Sequence, residues 1–143
     1  MVDIETIANA FEEITEIWQQ YLNKETGEIV SLCEDASIYQ DLELEEEIEY
    51  SDKYVRLPSQ YDIHEYSIMR NFAEIQSPII KDKLLEVLSN KNPYRNFKDK
   101  INYLGISQSY YSFRTETYRK LAKEWCIKNQ ISYDKPQIQF SNY

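Results

Sequence analysis

The sequence predicts an α+β fold: a small antiparallel sheet, a hairpin plus a third strand, packed with about five or six helices and followed by a mainly helical C-terminal half. Three observations carry that expectation. Two β-prone runs, Ile17 to Leu22 and Glu28 to Cys33, flank Asn23-Lys24-Glu25-Thr26-Gly27, in which Asn23 opens a turn and Gly27 can take a positive φ at its close. Later in the chain, apolar residues recur at helical spacing behind capping residues. The chain also has 13 Tyr but 2 Gly, which favours helices with few tight turns.

Taken in order, Asp3 can cap a first helix in which Ile4, Ile7, Ala8, Phe11 and Ile14 share a face, ending near Thr15. The hairpin follows. Asp41 to Asp52 reads as a short solvated helix, with Ile38, Leu42, Glu45 and Ile48 roughly on one side. Tyr54-Val55-Arg56-Leu57 alternates and stops at Pro58, as expected of a third, edge strand. Asp62 followed by Glu65 has capping-box spacing and introduces a helix through Gln76, with Tyr66, Met69, Phe72 and Ala73 inward and Ile68 and Ile75 beside them. Ser77-Pro78 opens the next, with Ile80, Leu84, Val87 and Leu88 as its buried stripe.

The block from Asn92 to Ile131 holds the densest run of aromatic and basic residues. Asn92 caps a helix starting at Pro93, and Tyr94, Phe97, Ile101 and Leu104 form its apolar stripe before Gly105 stops it. A longer helix resumes near Ser107. Tyr111, Tyr118, Leu121, Ala122 and Trp125 share its inner face, with Tyr110 and Phe113 to one side and Arg114 half buried on the stripe. Ile131 to Tyr133 and Gln137 to Phe140 are short extended candidates, so residues 132–143 read as an edge strand or a loosely attached tail on a single domain spanning 1–143.

Cys33 and Cys126 are far apart in sequence and read as reduced thiols, and no apolar run approaches the length of a membrane span. Met1-Val2-Asp3 lacks a secretory start, so a cytoplasmic location is expected, with no membrane partner. Charge is unevenly spread. Residues 1 to 90 hold 6 Lys/Arg against 21 Asp/Glu, whereas residues 91 to 128 hold 9 against 3, within an overall charge of −9. The plainer reading is that the acidic part neutralises the basic part internally; the sharper is that the basic helices face an acidic partner. Nucleic acid is disfavoured by the net charge, because phosphate contacts dominate such affinity.

Chemistry-bearing groups are sparse. His64 is the sole histidine, beside Asp62 and Glu65, and reads as a surface residue near a helix start rather than a base or metal ligand. No glycine-rich phosphate loop, nucleophile elbow or Cys-x-x-Cys occurs, so no cofactor, metal or catalytic residue is assigned. Arg95, Lys98 and Arg114, mixed with Tyr94, Tyr110, Tyr111 and Phe113, are the one group resembling a recognition surface, since rings stack and cations hold anions.

The blocks Tyr21 to Val30, Leu57-Pro58 with Tyr61 to Phe72, Arg95-Asn96-Phe97-Lys98-Asp99, Tyr110 to Arg114 and Tyr118 through Cys126 resemble bacterial uncharacterised protein family 0158 in order and spacing. The resemblance implies one recurring domain and brings no reaction, cofactor or catalytic residue. The chain departs from the pattern at Ser89 to Pro93, where the family has a glycine-containing stretch, and in a shorter acidic segment before Tyr54. A non-enzymatic binding or regulatory module with a protein partner is the expectation. A metal-dependent hydrolase or nuclease using Asp62 and Glu65, and an inhibitor or immunity-type protein in which Asp41 to Asp52 mimics phosphate charge, are the alternatives.

Overall fold

A computed structural model describes residues 2–15, 17–59 and 63–134. In chain order its elements are β1 (Val2–Asp3), α1 (Ile4–Glu12), β2 (Trp18–Asn23), β3 (Ile29–Cys33), α2 (Leu42–Tyr50), β4 (Tyr54–Arg56), α3 (Glu65–Glu74), α4 (Pro78–Leu88), α5 (Pro93–Tyr103), α6 (Ser107–Lys128) and β5 (Tyr133–Asp134). The α+β architecture, with a mainly helical C-terminal half, is as the sequence predicts. The chain divides into two compact units, Met1–Ile63 with Tyr118–Tyr143, and His64–Thr117.

In the first unit the sheet order is β3-β2-β4, antiparallel throughout, with Tyr21 opposite Val30 on one side and Arg56 on the other. The hairpin turn forms for the reason its residues imply. Asn23 Oδ1 accepts from the backbone N–H groups of Glu25 at 2.9 Å and Thr26 at 3.3 Å, and Gly27 sits at φ 77°. Because β4 is at the edge, Pro58 follows it without removing a ladder bond. The core here is built on α1, whose Ile4, Ile7, Ala8, Ala10 and Phe11 are all buried, with Leu22 and Leu57.

The cap of α1 is Asp3, whose carboxylate accepts from Glu5 N–H at 3.1 Å. The helix stops at Glu12 rather than near Thr15, because Thr15 Oγ1 accepts from Trp18 N–H and so belongs to the turn into β2. β5 pairs in parallel with β1, Val2 opposite Tyr133, and makes a separate two-stranded ladder instead of extending the main sheet. The extended candidate from Gln137 to Phe140 lies outside the described residues.

The second unit is helical. Phe72, Phe97, Tyr110 and Phe113 form one ring cluster: Phe97 to Tyr110 at 5.0 Å between centroids, Phe72 to Tyr110 at 5.3 Å and Phe72 to Phe113 at 5.6 Å. The first two are edge-to-face, and such pairs add about 0.5–1.5 kcal/mol each beyond their buried area. Met69, Ala73, Leu84, Leu88 and Ile101 complete the core, and Tyr66 Oη donates to Leu88 O at 3.1 Å, tying α3 to α4. Ile75, expected beside the inner face of α3, is exposed instead, because it is the C-cap residue where the chain leaves the helix. Gly105 at φ 72° ends the α5 region, and Ile106 N–H donates to Ile101 O at 2.9 Å across it.

Candidate functional site

Helix α5 presents the candidate surface, and its geometry follows from two anchors. Phe97 and Ile101, four residues apart, are completely buried and fix the rotation of the helix. Positions off the line joining them turn towards water. Arg95 and Lys98, three apart and therefore neighbours on the helix surface, are both exposed, with Lys91 exposed just before the first turn. Lys91 O accepts from Asn96 Nδ2 at 2.8 Å, which holds the entering backbone against the helix. Asn92 precedes the helix in a left-handed conformation, φ 53°, without a side-chain cap bond, so its role is the turn itself.

The other expected contact residues separate. Tyr110 is 0 % exposed at the centre of the ring cluster, so it is core and not contact surface. Tyr111, expected on the inner face, is 43 % exposed and rests edge-on against Tyr110 at 5.3 Å. Phe113 is half buried on Phe72. Arg114 is half buried and ion-paired, its Nε 3.5 Å from Glu65 Oε1. A guanidinium held this way stabilises the second unit rather than reaching outward. The structure therefore keeps Arg95, Lys98 and Tyr111 as outward groups of the expected set and moves Tyr110 and Arg114 into the fold.

Two more aromatic residues face outward, Tyr94 of the expected group and Tyr103 outside it. Tyr94, expected on the α5 stripe, is 47 % exposed in the first turn, and Tyr103 is exposed in the last with Lys100 Nζ 5.6 Å from its ring centroid. Helical spacing places Tyr94 near the buried side but does not reveal how far along the axis the packing extends. For Tyr103 the signal was present: it lies two residues from the buried Ile101, well off that stripe.

The charge split of the sequence is resolved partly inside the molecule. Arg119 Nε binds Glu5 Oε1 at 2.6 Å, and Arg114 binds Glu65, so two of the late cations are neutralised internally. Lys91, Arg95, Lys98, Lys120 and Lys128 remain exposed.

The remaining chemistry is quiet. His64 is the exposed N-cap residue of α3 and makes no side-chain cap bond. Cys33 and Cys126 are free thiols, and burial pushes Cys126 up to about 11, so at neutral pH it is an unreactive thiol. Asp62 lies outside the described residues, and Glu65 is engaged by Arg114. Among the described residues no group of three or more His, Cys, Asp or Glu is placed to hold a metal ion. On α2 no residue is buried, and its Glu47 carboxylate lies 2.8 Å from Lys53 Nζ and accepts from Tyr54 Oη at 3.1 Å. Hydrogen bonding from Lys53, then from Tyr54, holds the Glu47 carboxyl below the usual carboxylate range.

These features define an α+β protein whose candidate site is a basic and aromatic helix face backed by an aromatic core. The chain matches the uncharacterised protein family UPF0158 over residues 1–140, and it belongs to that family. No curated protein and no solved structure matches it. Among the described residues no helix is long and apolar enough to cross a membrane.

Proposed function

We propose that this protein is a non-enzymatic binding module that docks an acidic protein partner on the outer face of α5. The observation that supports this most is the pair Arg95 and Lys98, exposed on a helix whose rotation is locked by the buried Phe97 and Ile101. Cations presented from a fixed backbone lose less freedom on binding than cations on a mobile loop, and Tyr94 and Tyr111 add flat amphipathic area of the kind enriched at interfaces. A protein partner fits better than a nucleic acid, since phosphate contacts dominate nucleic-acid affinity and a chain of net charge −9 repels a dense polyphosphate more strongly than an acidic patch on a folded protein.

The test is an affinity capture with the full chain as bait, with and without nuclease, repeated with Arg95→Glu and Lys98→Glu together. Proteins that the native bait retains at low salt should be lost from the double variant and unaffected by nuclease. An unchanged set of retained proteins removes α5 as the contact face.

A second reading draws on α2, where Glu43, Glu45, Glu46, Glu47 and Glu49 occupy a helix without buried residues. Such a helix can imitate a phosphate backbone and occupy a basic cleft, as an inhibitor or immunity-type protein does. It requires capture of a strongly basic protein, with binding that weakens steeply as salt rises.

A further inference from the structure

A groove of about 400 Å³ in the first unit lies between the end of β4 and the end of α6, lined by Arg56, Pro58, Ser59, Trp125, Lys128 and Asn129. Its volume falls in the range of small-molecule sites. Its composition runs against the rest of the acidic chain, with two cations, an indole, an amide and a hydroxyl.

The two principal groups are held from behind by buried residues. Gln19, only 6 % exposed, donates from Nε2 to Leu57 O at 3.0 Å and Gln20 O at 3.1 Å, and its Oε1 accepts from Arg56 Nη2 at 2.7 Å. A buried amide is costly unless bonded, and here its fixed oxygen aims an otherwise exposed guanidinium. A guanidinium has five N–H donors, so one Gln oxygen leaves the fork able to grip an oxyanion. Glu34 Oε1 lies 4.0 Å from Arg56 Nη2 as a solvent-exposed counter-ion that such a ligand would displace. Trp125 is braced edge-on by the buried Phe11 at 6.0 Å.

A helix C-terminus ordinarily repels an anion through its unpaired carbonyls. At the end of α6 three of those carbonyls are occupied. Trp125 O accepts from Asn129 Nδ2 at 2.9 Å and Asn129 N–H at 3.0 Å, Cys126 O accepts from Ile131 N–H at 2.8 Å, and Ile127 O accepts from Gln130 N–H at 3.2 Å. Lys128 in the last turn adds a positive charge.

We propose that this groove binds a small molecule that joins a flat ring to a carboxylate or phosphate, with Arg56 and Lys128 on the anion and the Trp125 indole against the ring. The site is independent of the α5 face, since neither Arg95 nor Lys98 lines it.

Titration of the full-length protein, followed by the indole N–H signals in proton–nitrogen NMR, tests it; Trp18→Phe assigns the two signals. The probes are adenosine 5′-monophosphate and indole-3-acetate, which separate a phosphate source from a carboxylate source, with adenosine and inorganic phosphate as the halves. At least one ring anion should move the Trp125 signal saturably with Kd below about 1 mM and bind more tightly than its uncharged or ringless counterpart. Arg56→Lys keeps the charge but loses the planar fork, and should weaken binding about tenfold with an unchanged melting curve. Lys128→Gln, at an exposed position, should weaken it several-fold. The proposal is overturned if neither ring anion saturates the Trp125 signal, if adenosine or phosphate alone binds as tightly as the joined molecule, or if both variants bind as the native chain does.

Discussion

Helices α2 and α5 are both short, charged and solvent-facing, yet they are held in opposite ways. α5 is nailed by two fully buried side chains, Phe97 and Ile101, so its exposed Arg95 and Lys98 stand at fixed positions. α2 has no buried residue. Its attachments are polar: the Asp41 cap, whose Oδ1 accepts from Leu44 N–H at 3.1 Å, and the Glu47, Lys53 and Tyr54 group. Charge density alone therefore does not make a contact surface. Exposed charges are pre-organised on one helix and merely solvated on the other, and pre-organisation governs how much interaction energy survives binding.

The sharpest way to break this comparison is to remove one anchor. Phe97→Ala should destabilise the protein by about 3–5 kcal/mol through lost burial and the cavity left in the ring cluster, whereas Leu42→Ala on α2 should fall within about 0.5 kcal/mol. Urea midpoints measure both, and equal costs would mean that α5 is no better anchored than α2. Next in size is Arg114→Met. Taking away the half-buried guanidinium leaves the Glu65 carboxylate without its 3.5 Å partner and should cost about 1–3 kcal/mol. A double-mutant cycle with Glu65→Gln then recovers part of that loss; simple additivity would show that the pair is not coupled.

The contrast between core and surface also has a chemical readout in the cysteines. Because burial raises the Cys126 thiol to about 11, the folded state resists ionisation that the unfolded state undergoes above its ordinary value near 9. Its contribution to stability is full below that value and declines as pH rises from about 9 towards 11. Alkylation at pH 8 should label the partly exposed Cys33 long before Cys126, which mass spectrometry resolves; simultaneous labelling would contradict the burial of Cys126. The smallest effect is expected on α2 itself. Glu47 has a lowered folded pKa, so the contribution of its pairing is present above the ordinary carboxylate range and is lost as pH falls through the folded value. Lys53→Met should return the Glu47 titration towards that range, observable by carbon-detected NMR, with little change in melting temperature. A Glu47 titration unmoved by this substitution would remove Lys53 as the cause.

Much of the fold was legible in the residues. The Asn23 to Gly27 turn, the Asp3 cap, Pro78 and Pro93 at helix starts and the solvated α2 all follow from chemistry within a few positions. The candidate site was legible only in part. Arg95 and Lys98 lie off the stripe of Phe97 and Ile101 and are exposed, but the stripe read along α6 puts Tyr111 inside and Tyr110 beside it. The structure reverses them. Tyr110 is buried in the helical unit, whereas Tyr118, Ala122 and Cys126, spaced by four, are buried in the other. A helix that serves two cores need not keep one continuous stripe, and a single period fitted along its whole length averages over two different faces.

What the sequence by itself determined were local matters: where chains turn, where helices begin and end, and that the fold mixes a small sheet with many helices. These depend on φ preferences and hydrogen bonds between residues close in the chain. The tertiary structure decided which rings are core, that Glu65 and Glu5 neutralise Arg114 and Arg119, and that Gln19 aims Arg56 into a groove beside Trp125. Those outcomes depend on burial and on partners as far as 114 positions away along the chain, and spacing along one helix carries no information about what packs against it.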